Sequence, residues 1–146
     1  MAHPLYAVGV EAQTPLLFVI TTATSGKIAR VRQIQLGGEA TGVSPTAKRP
    51  IWSRVTAAGT APTSITPQKL NAFSATSAFH GEYNYGVAPT IGHSSTAYPV
   101  STRNGYGQKV LFPVKSGPII LDSCPLAVQA DASNWTWDVN VIFEEF

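Results

Sequence analysis

The sequence contains little charge, one cysteine, no long apolar run and no segment with helical periodicity. Asp, Glu, Lys and Arg make up 12% of its 146 residues, about half the usual share. Cys124 has no partner for an internal disulfide, and its apolar neighbours predict a buried free thiol. No stretch approaches a membrane span, and the amino terminus lacks the features of a signal peptide. We therefore expect synthesis and folding in a reducing cytoplasm.

The composition is nevertheless that of a folded chain. An apolar fraction of 44% is too high for intrinsic disorder, and the length suits one domain, 1–146, with its own core. Ala, Thr, Ser, Gly and Pro are plentiful, so we expect a neutral, hydroxyl-rich surface. Such surfaces are typical of proteins that pack against other subunits.

The few charges are unevenly distributed. Seven of the basic residues fall between Lys27 and Lys69, where Glu39 is the one acid. Beyond Lys115 every charged residue is acidic: Asp122, Asp131, Asp138, Glu144 and Glu145. These segments are expected to pair within one chain or between neighbouring copies. The basic residues are too dispersed for a dedicated nucleic-acid-binding surface.

Short β-rich runs separated by turn residues predict an all-β, antiparallel sandwich or barrel of about eight strands. The clearest run is "NWTWDVNVIFEEF" at the carboxyl terminus, whose alternating apolar residues are Trp135, Trp137, Val139, Val141 and Phe143. Two tryptophans on one face require a substantial core. We therefore expect the carboxyl terminus to be part of a sheet.

Seven further strands are predicted: Leu5 to Ala12, Pro15 to Ala23, "GKIARVRQIQLGG", Arg49 to Ala57, "KVLFPV", "PIILD" and "PLAVQA". The second is apolar nearly throughout, as in a central strand. In the third, Ile28 and Ile34 share one phase and Val31 has the other, which predicts a bulge between Val31 and Gln33. Pro113 restricts "KVLFPV" to a sheet edge or a strand end.

The segment from about 59 to 108 has much weaker periodicity and is predicted to be a long loop insertion. Its "TPQKLN" piece would suit a short helical turn. Loops of this length in a compact domain are usually functional or bind other subunits.

The loop includes "FHGEYNYGVAPTIGH", the strongest candidate for chemistry. His80-Gly81-Glu82 matches half of a zinc deaminase signature, but the cysteine half is missing. His80 and His93 are not at the i, i+4 spacing that places two metal ligands on one helix face. Exposed or interface histidines are therefore the favoured interpretation.

Other catalytic patterns also fail. No G-x-S-x-G nucleophile elbow is present, Cys124 is followed by Pro125 rather than by a helix start, and Glu144 and Glu145 point to opposite faces of a strand. We therefore expect no enzyme activity, no cofactor and no metal.

Aromatic residues in and near the loop favour an interface, because tyrosine covers area there at little entropic cost. The interface candidates are Tyr83, Tyr85, His80, His93, Tyr98, Tyr106, Arg49 and Trp52. The alternative is a glycan- or receptor-binding β-sandwich of a fibre or spike, which requires Trp52 or a loop tyrosine to be exposed.

Four segments in order, "YAVGVEAQT", "KIARVRQIQLGG", "GTAPTSITPQKLN" and "WTWDVNVIFEEF", resemble the small all-β head decoration (cement) proteins of tailed bacteriophages. The resemblance implies a jelly-roll-like sandwich that forms a homotrimer on the outside of an icosahedral capsid. Its partners would be itself and the major capsid protein, with no membrane, and its location the virion surface. The segment from Phe73 to Gly107 has no counterpart in it.

Overall fold

The computed structural model describes residues 3–40, 51–92, 98–99, 108–130 and 135–146. In these ranges the chain forms thirteen strands: β1 (Leu5–Gln13), β2 (Leu16–Thr22), β3 (Ile28–Ala40), β4 (Ile51–Ala57), β5 (Thr63–Ile65), β6 (Gln68–Lys69), β7 (Phe79–Tyr83), β8 (Thr90–Gly92), β9 (Tyr98–Pro99), β10 (Gln108–Leu111), β11 (Ile119–Leu121), β12 (Leu126–Ala130) and β13 (Trp135–Glu145). The same ranges contain no helix that could span a membrane.

The strands form two antiparallel sheets that pack face to face, so the predicted β-sandwich is confirmed. Sheet A has the order β10-β3-β13-β1-β6, and β11 pairs with β3 beyond the end of β10. Sheet B has the order β5-β7-β2-β12-β4-β8, and β9 also pairs with β4. All eight strands predicted from the sequence are present, with ends that differ by a few residues.

The pairing follows the jelly-roll pattern. Counted inward from the two ends of the chain, β1 pairs with β13, β2 with β12, β3 with β10 and β11, and β4 with β8 and β9. A chain paired in this way is one long antiparallel hairpin rolled into two sheets. Consequently the two ends of the chain lie side by side in sheet A.

The segment from 59 to 108 is not a loop throughout, because it contributes β5 to β9. Strand β7 includes the "FHGEY" of the candidate motif and lies between β2 and β5. Its inward positions are Phe79 and Gly81, and a Cβ on Gly81 would lie 2.7 Å from the ring of Phe18. The alternation of large apolar residues along β7 is therefore interrupted at Gly81, because the Phe18 ring occupies the space that a side chain would need there. The "TPQKLN" piece contains β6, paired with β1, instead of a helical turn.

The predicted bulge in β3 is confirmed. The pairing with β13 skips Arg32, passing from Gln33 opposite Ile142 to Val31 opposite Phe143. The extra residue brings Val31 and Ile34 onto the same inward face, where both are buried. Ile28 then falls on the other face and is exposed, contrary to the phase assigned to it from the sequence.

The core lies between the sheets and is rich in aromatic rings. Trp135 and Trp137 stack with their ring centroids 5.2 Å apart, and the Phe143 ring lies 5.9 Å from that of Phe79. The carboxyl-terminal strand thus lies in a sheet against a substantial core, as predicted, and β2, between β7 and β12, is the predicted central strand. Strand β10 is at a sheet edge and ends before Pro113, also as predicted. Cys124 is a free thiol but is half-buried rather than buried.

Two adjacent glycines in β3 give a direct test of this packing. A Cβ on Gly38 would lie 2.6 Å from the ring of Trp137 and 2.8 Å from that of Trp135, whereas a Cβ on Gly37 meets nothing within 4 Å. Gly38→Ala should lower the free energy of unfolding by about 1–3 kcal/mol, the usual cost of overpacking. Gly37→Ala should leave it unchanged or raise it by about 0.5–1 kcal/mol, because glycine is unfavourable within a strand. Equal effects in chemical denaturation would contradict the stacking of both indoles on Gly38.

Candidate assembly surface

The outward face of β7 carries part of the predicted set. His80 Nε2 lies 3.1 Å from Glu82 Oε2, and the Tyr85 hydroxyl donates a hydrogen bond to Glu82 Oε1 at 3.1 Å. All three side chains are half-buried. Glu82 was not among the predicted residues, and it is the group that brings His80 and Tyr85 together.

This cluster holds the turn after β7 onto the sheet. Burial, and then the negative charge of Glu82 and the hydrogen bond that its carboxylate accepts, raise the pKa of Tyr85 well above its ordinary value, so the phenol stays neutral and remains a donor. Among the described residues, no three His, Cys, Asp or Glu side chains are placed to hold a metal ion.

The Trp52 ring is buried and is not exposed for stacking on a sugar. It is 7% exposed, and its ring meets that of Phe112 edge-on at 5.6 Å within the core. The alternation in β4 separates Trp52 from Ile51 and Val55 but does not say which side faces the other sheet. The glycan-binding hypothesis required Trp52 or a loop tyrosine to be exposed, and for Trp52 this prediction is wrong.

The other candidates are dispersed or lie outside the described residues. The Tyr83 ring is partly buried against the core cluster. The Tyr98 backbone pairs with Trp52 in β9, and its side chain is outside the description. Arg49, His93 and Tyr106 fall in the ranges that are not described.

A different surface is exposed at one end of sheet A. We call it the apolar end, and it consists of Leu5, Ile28, Leu70, Phe73 and Phe146. The Leu70 amide donates to the Leu5 carbonyl at 3.0 Å, and the Phe146 amide donates to the Ile28 carbonyl at 2.9 Å. The His3 ring, 4.3 Å from that of Phe146, lies between these two pairs. Grouped apolar exposure of this kind marks interaction surfaces.

Strand directions explain why these residues meet. Sheet A is antiparallel, so the start of β1 lies beside the end of β13, and the start of β3 lies beside that same end. The end of β6 lies beside the start of β1. Residues that are far apart in the sequence therefore share one end of the sheet.

Phe73 is the most prominent member, with 98% of its surface exposed. It lies in a tight turn in which the Asn71 side-chain oxygen accepts a hydrogen bond from the Phe73 amide at 3.0 Å. No ionisable residue occurs from 70 to 78. Covering this loop with a partner would therefore desolvate none of the loop's charges, since it has none.

The loop that carries Phe73 is attached at its far end. The Tyr6 hydroxyl donates to the Ala75 carbonyl at 2.8 Å, and Glu145 Oε2 accepts from the Ser77 hydroxyl at 2.7 Å and from the Ala78 amide at 3.1 Å. A loop ordered in advance loses less entropy on binding. Phe73 thus projects from a loop whose backbone is hydrogen-bonded to the sheets at residues 75–78.

Beside Phe73 is a hollow of about 490 Å³, lined by His3, Pro4, Leu5, Leu70, Asn71 and Ser74. Two of its six lining residues, Leu5 and Leu70, belong to the apolar end itself. A projecting ring and an apolar hollow therefore occupy the same end of the molecule.

Five charged residues near the apolar end pair with one another, and the exposed Lys69, next to Leu70, is not among them. Arg30 and Arg32 lie 3.6 and 3.4 Å from Glu144, and Lys27 lies 3.7 Å from Glu145. Both glutamates are buried. The expected pairing of the basic segment with the acidic carboxyl terminus is thus confirmed within one chain.

Sequence reasoning missed the apolar end because its members show no shared period. Leu70 and Phe73 lie among small polar residues. Leu5 and Phe146 lie at the ends of predicted strands, where alternation identifies only the residues that face the core. An isolated aromatic in a neutral segment, as in "NAFSATS", is the one local signal.

Comparisons with protein-family models, with curated proteins and with solved structures gave no match.

The Tyr85–Glu82 contact predicts a specific alkaline titration. The folded protein holds the Tyr85 proton more tightly than the unfolded chain, so the associated stability is complete below pH 10.0, the ordinary pKa of tyrosine, and is lost as the pH rises above it. Tyr6 shares this raised pKa, through burial and the Glu145 charge. In a spectrophotometric titration, Tyr85→Phe should remove one phenol from the late-ionising group. Loss of a phenol that ionises at its ordinary pKa would contradict the contact.

Proposed function

We propose that this chain is a virion structural protein, a capsid decoration (cement) protein. It binds the outside of an icosahedral phage head and stabilises contacts between major capsid proteins. It does so as a homotrimer and without catalysis. The chain is made in the host cytoplasm and functions on the capsid surface.

The apolar end is the observation that carries this proposal. Five exposed apolar side chains, with Phe73 projecting from an anchored loop and an adjoining hollow, suit a surface that is covered in an assembly. Aromatic residues that enter a partner's pocket contribute much of the energy of protein interfaces. Pairing of Lys27, Arg30 and Arg32 with buried glutamates reduces the number of charges that a partner would have to desolvate.

The fold and the sequence support the same proposal less directly. Jelly rolls occur in viral capsid proteins and in lectins, although a fold alone does not determine function. The resemblance of four sequence segments to phage decoration proteins favours the first group. Low overall charge fits a protein that is largely covered by neighbours.

The cement role follows from multivalency. Once one protomer of a trimer is bound to a capsid subunit, the others are held near neighbouring subunits at a high effective concentration. Separation of the capsid subunits then requires several contacts to break together. Weak individual contacts can in this way oppose the outward pressure of a packaged genome.

The solution mass tests self-association through the apolar end. We expect light scattering on a sizing column to give a trimer that persists on dilution, and Phe73→Ser to give a monomer. Val87→Ser is the matched control, because Val87 is also exposed but lies in the turn after β7, away from the apolar end. A monomeric wild-type protein would contradict the trimer. A trimeric Phe73→Ser variant would show that the apolar end is not the contact between sister subunits.

Capsid binding tests the function itself. Undecorated heads assembled from the major capsid protein of the phage that encodes the chain should bind it saturably in co-sedimentation. Their thermal disruption should shift to higher temperature when the protein is bound. The Gly37→Ala variant, altered outside the apolar end, should behave like the wild type. Failure to co-sediment, with no change in disruption temperature, would refute the decoration role.

A further inference from the structure

The outward face of sheet A bears a groove of about 690 Å³ that is separate from the apolar end. The strand register places its polar side chains in rows across the sheet. One row runs Gly9, Asn140, Gln35 and Lys109, and the next includes Glu11, Asp138 and Gly37. The segment from Ile65 to Gln68, passing from sheet B to sheet A, forms one wall, and Lys109 of β10 lies at the other side. Its volume lies within the range of small-molecule sites.

Two glycines form part of the groove's floor, and the reasons for glycine differ between the two positions. A Cβ on Gly9 would lie 2.2 Å from the Val139 carbonyl oxygen, so β-sheet packing requires glycine there. Gly37 has open space around its Cβ position and a φ outside the left-handed region. Neither a packing contact nor the backbone conformation requires glycine at position 37, and a glycine there weakens the strand. A strand glycine without such causes often marks a place where a ligand approaches the backbone closely.

The side chains over this floor are hydrogen-bonding groups held on paired strands. Asn140 Nδ2 lies 3.5 Å from Gln35 Oε1, a contact at the limit of a hydrogen bond. Asp138 Oδ1 accepts a bond from the Ala12 amide at 2.8 Å, which positions the carboxylate. Amides offer both donors and acceptors, the carboxylate offers acceptors, and Lys109 offers donors. Sites built on strands position such groups more accurately than sites on loops.

The chemistry of the groove selects among possible occupants. Strand β13, in the middle of the groove floor, is paired on both sides by β1 and β3, so its backbone groups are not free to bind an extended peptide as an added strand. On its other side β1 pairs with β6 only at Tyr6 and Ala7, and among the described residues β3 has a second partner only as far as Leu36, so the side chains decide between occupants. The carboxylates of Glu11 and Asp138 outnumber the Lys109 ammonium, which disfavours a polyanion such as nucleic acid. A hydroxyl group is both donor and acceptor, as the side-chain amides are. A neutral ligand with many hydroxyl groups fits this set best.

We propose that the groove binds a neutral saccharide, lying across β1, β13 and β3, with hydrogen bonds to Asn140, Gln35 and Asp138 and close approach at Gly37. None of the described residues that line the groove is aromatic, so the proposed recognition uses hydrogen bonds from these side chains. The site is distinct from Trp52, Tyr83 and Tyr85, none of which lines it. It does not depend on the virion role, since its lining shares no residue with the apolar end.

The test is an NMR titration of the ¹⁵N-labelled full chain with neutral cello-, malto-, manno- and chito-oligosaccharides. We expect at least one to bind saturably with a dissociation constant below about 1 mM, shifting amide signals of Gly9, Gly37 and Asn140. Gly37→Trp, which fills the groove where a Cβ has open space, should weaken binding about tenfold or more, a change of about 1.4 kcal/mol. Gln33→Val, on the same outward face but not lining the groove, should bind like the wild type.

Each remaining outcome decides against the proposal. It is overturned if no saccharide in the set binds, if the shifts map elsewhere, or if Gly37→Trp binds as well as the wild type while its unfolding free energy is unchanged. If Gly37→Trp fails to fold, Asn140→Ala together with Gln35→Ala replaces it, with the same expected loss. Preferential shifts of the groove signals by heparin or by a polar peptide would assign the site to another ligand class and likewise overturn the proposal.

Discussion

The pairing of β13 with both β1 and β3 is the constraint on which the rest of the structure depends. Its inward residues, from Trp135 to Phe143, supply the largest rings of the core. Its eleven residues are in register with β3 through one bulge at Arg32. Because β1 and β13 come from opposite ends of the sequence, sheet A is complete only when these two distant segments have paired. The core, the apolar end and the groove are all built on this three-strand unit.

Electrostatics connect that unit to the proposed function. Glu144 and Glu145 end β13 on opposite faces, and buried carboxylates are costly unless they are paired and hydrogen-bonded. Glu144 pairs with Arg30 and Arg32, while Glu145 accepts hydrogen bonds from the loop that carries Phe73. Glu144 thus pairs with two cations near the apolar end, and Glu145 attaches the loop whose Phe73 is the most exposed ring there. Contacts of Glu144 and Glu145 within the fold thus shape the apolar end, the surface that is proposed to contact a partner.

The apolar end and the groove show how one sheet can present two kinds of surface. The row nearest the start of β1 contains Leu5, and a row farther along contains Gly9, Asn140 and Gln35. The first is apolar, and Arg30 and Arg32 beside it are paired with Glu144. The second has hydrogen-bonding side chains around Gly9 and Gly37, which have no side chains of their own to fill the groove. Their separation along the strands means that the proposed assembly and the proposed saccharide binding use different parts of one sheet.

The sequence by itself determined the β class, eight strand positions, the bulge near Val31 and the inward face of β13, because alternation along a strand is a local property. It did not reveal β7, since Gly81 is selected by Phe18 from a different strand. It separated the two faces of β4 but not which was inward, so Trp52 was misplaced. Only the tertiary structure brought Leu5, Phe73 and Phe146 to one end, and Gly9 and Gly37 to one groove. Those surfaces arise from pairing between distant segments, and a local pattern carries no record of which strands become neighbours.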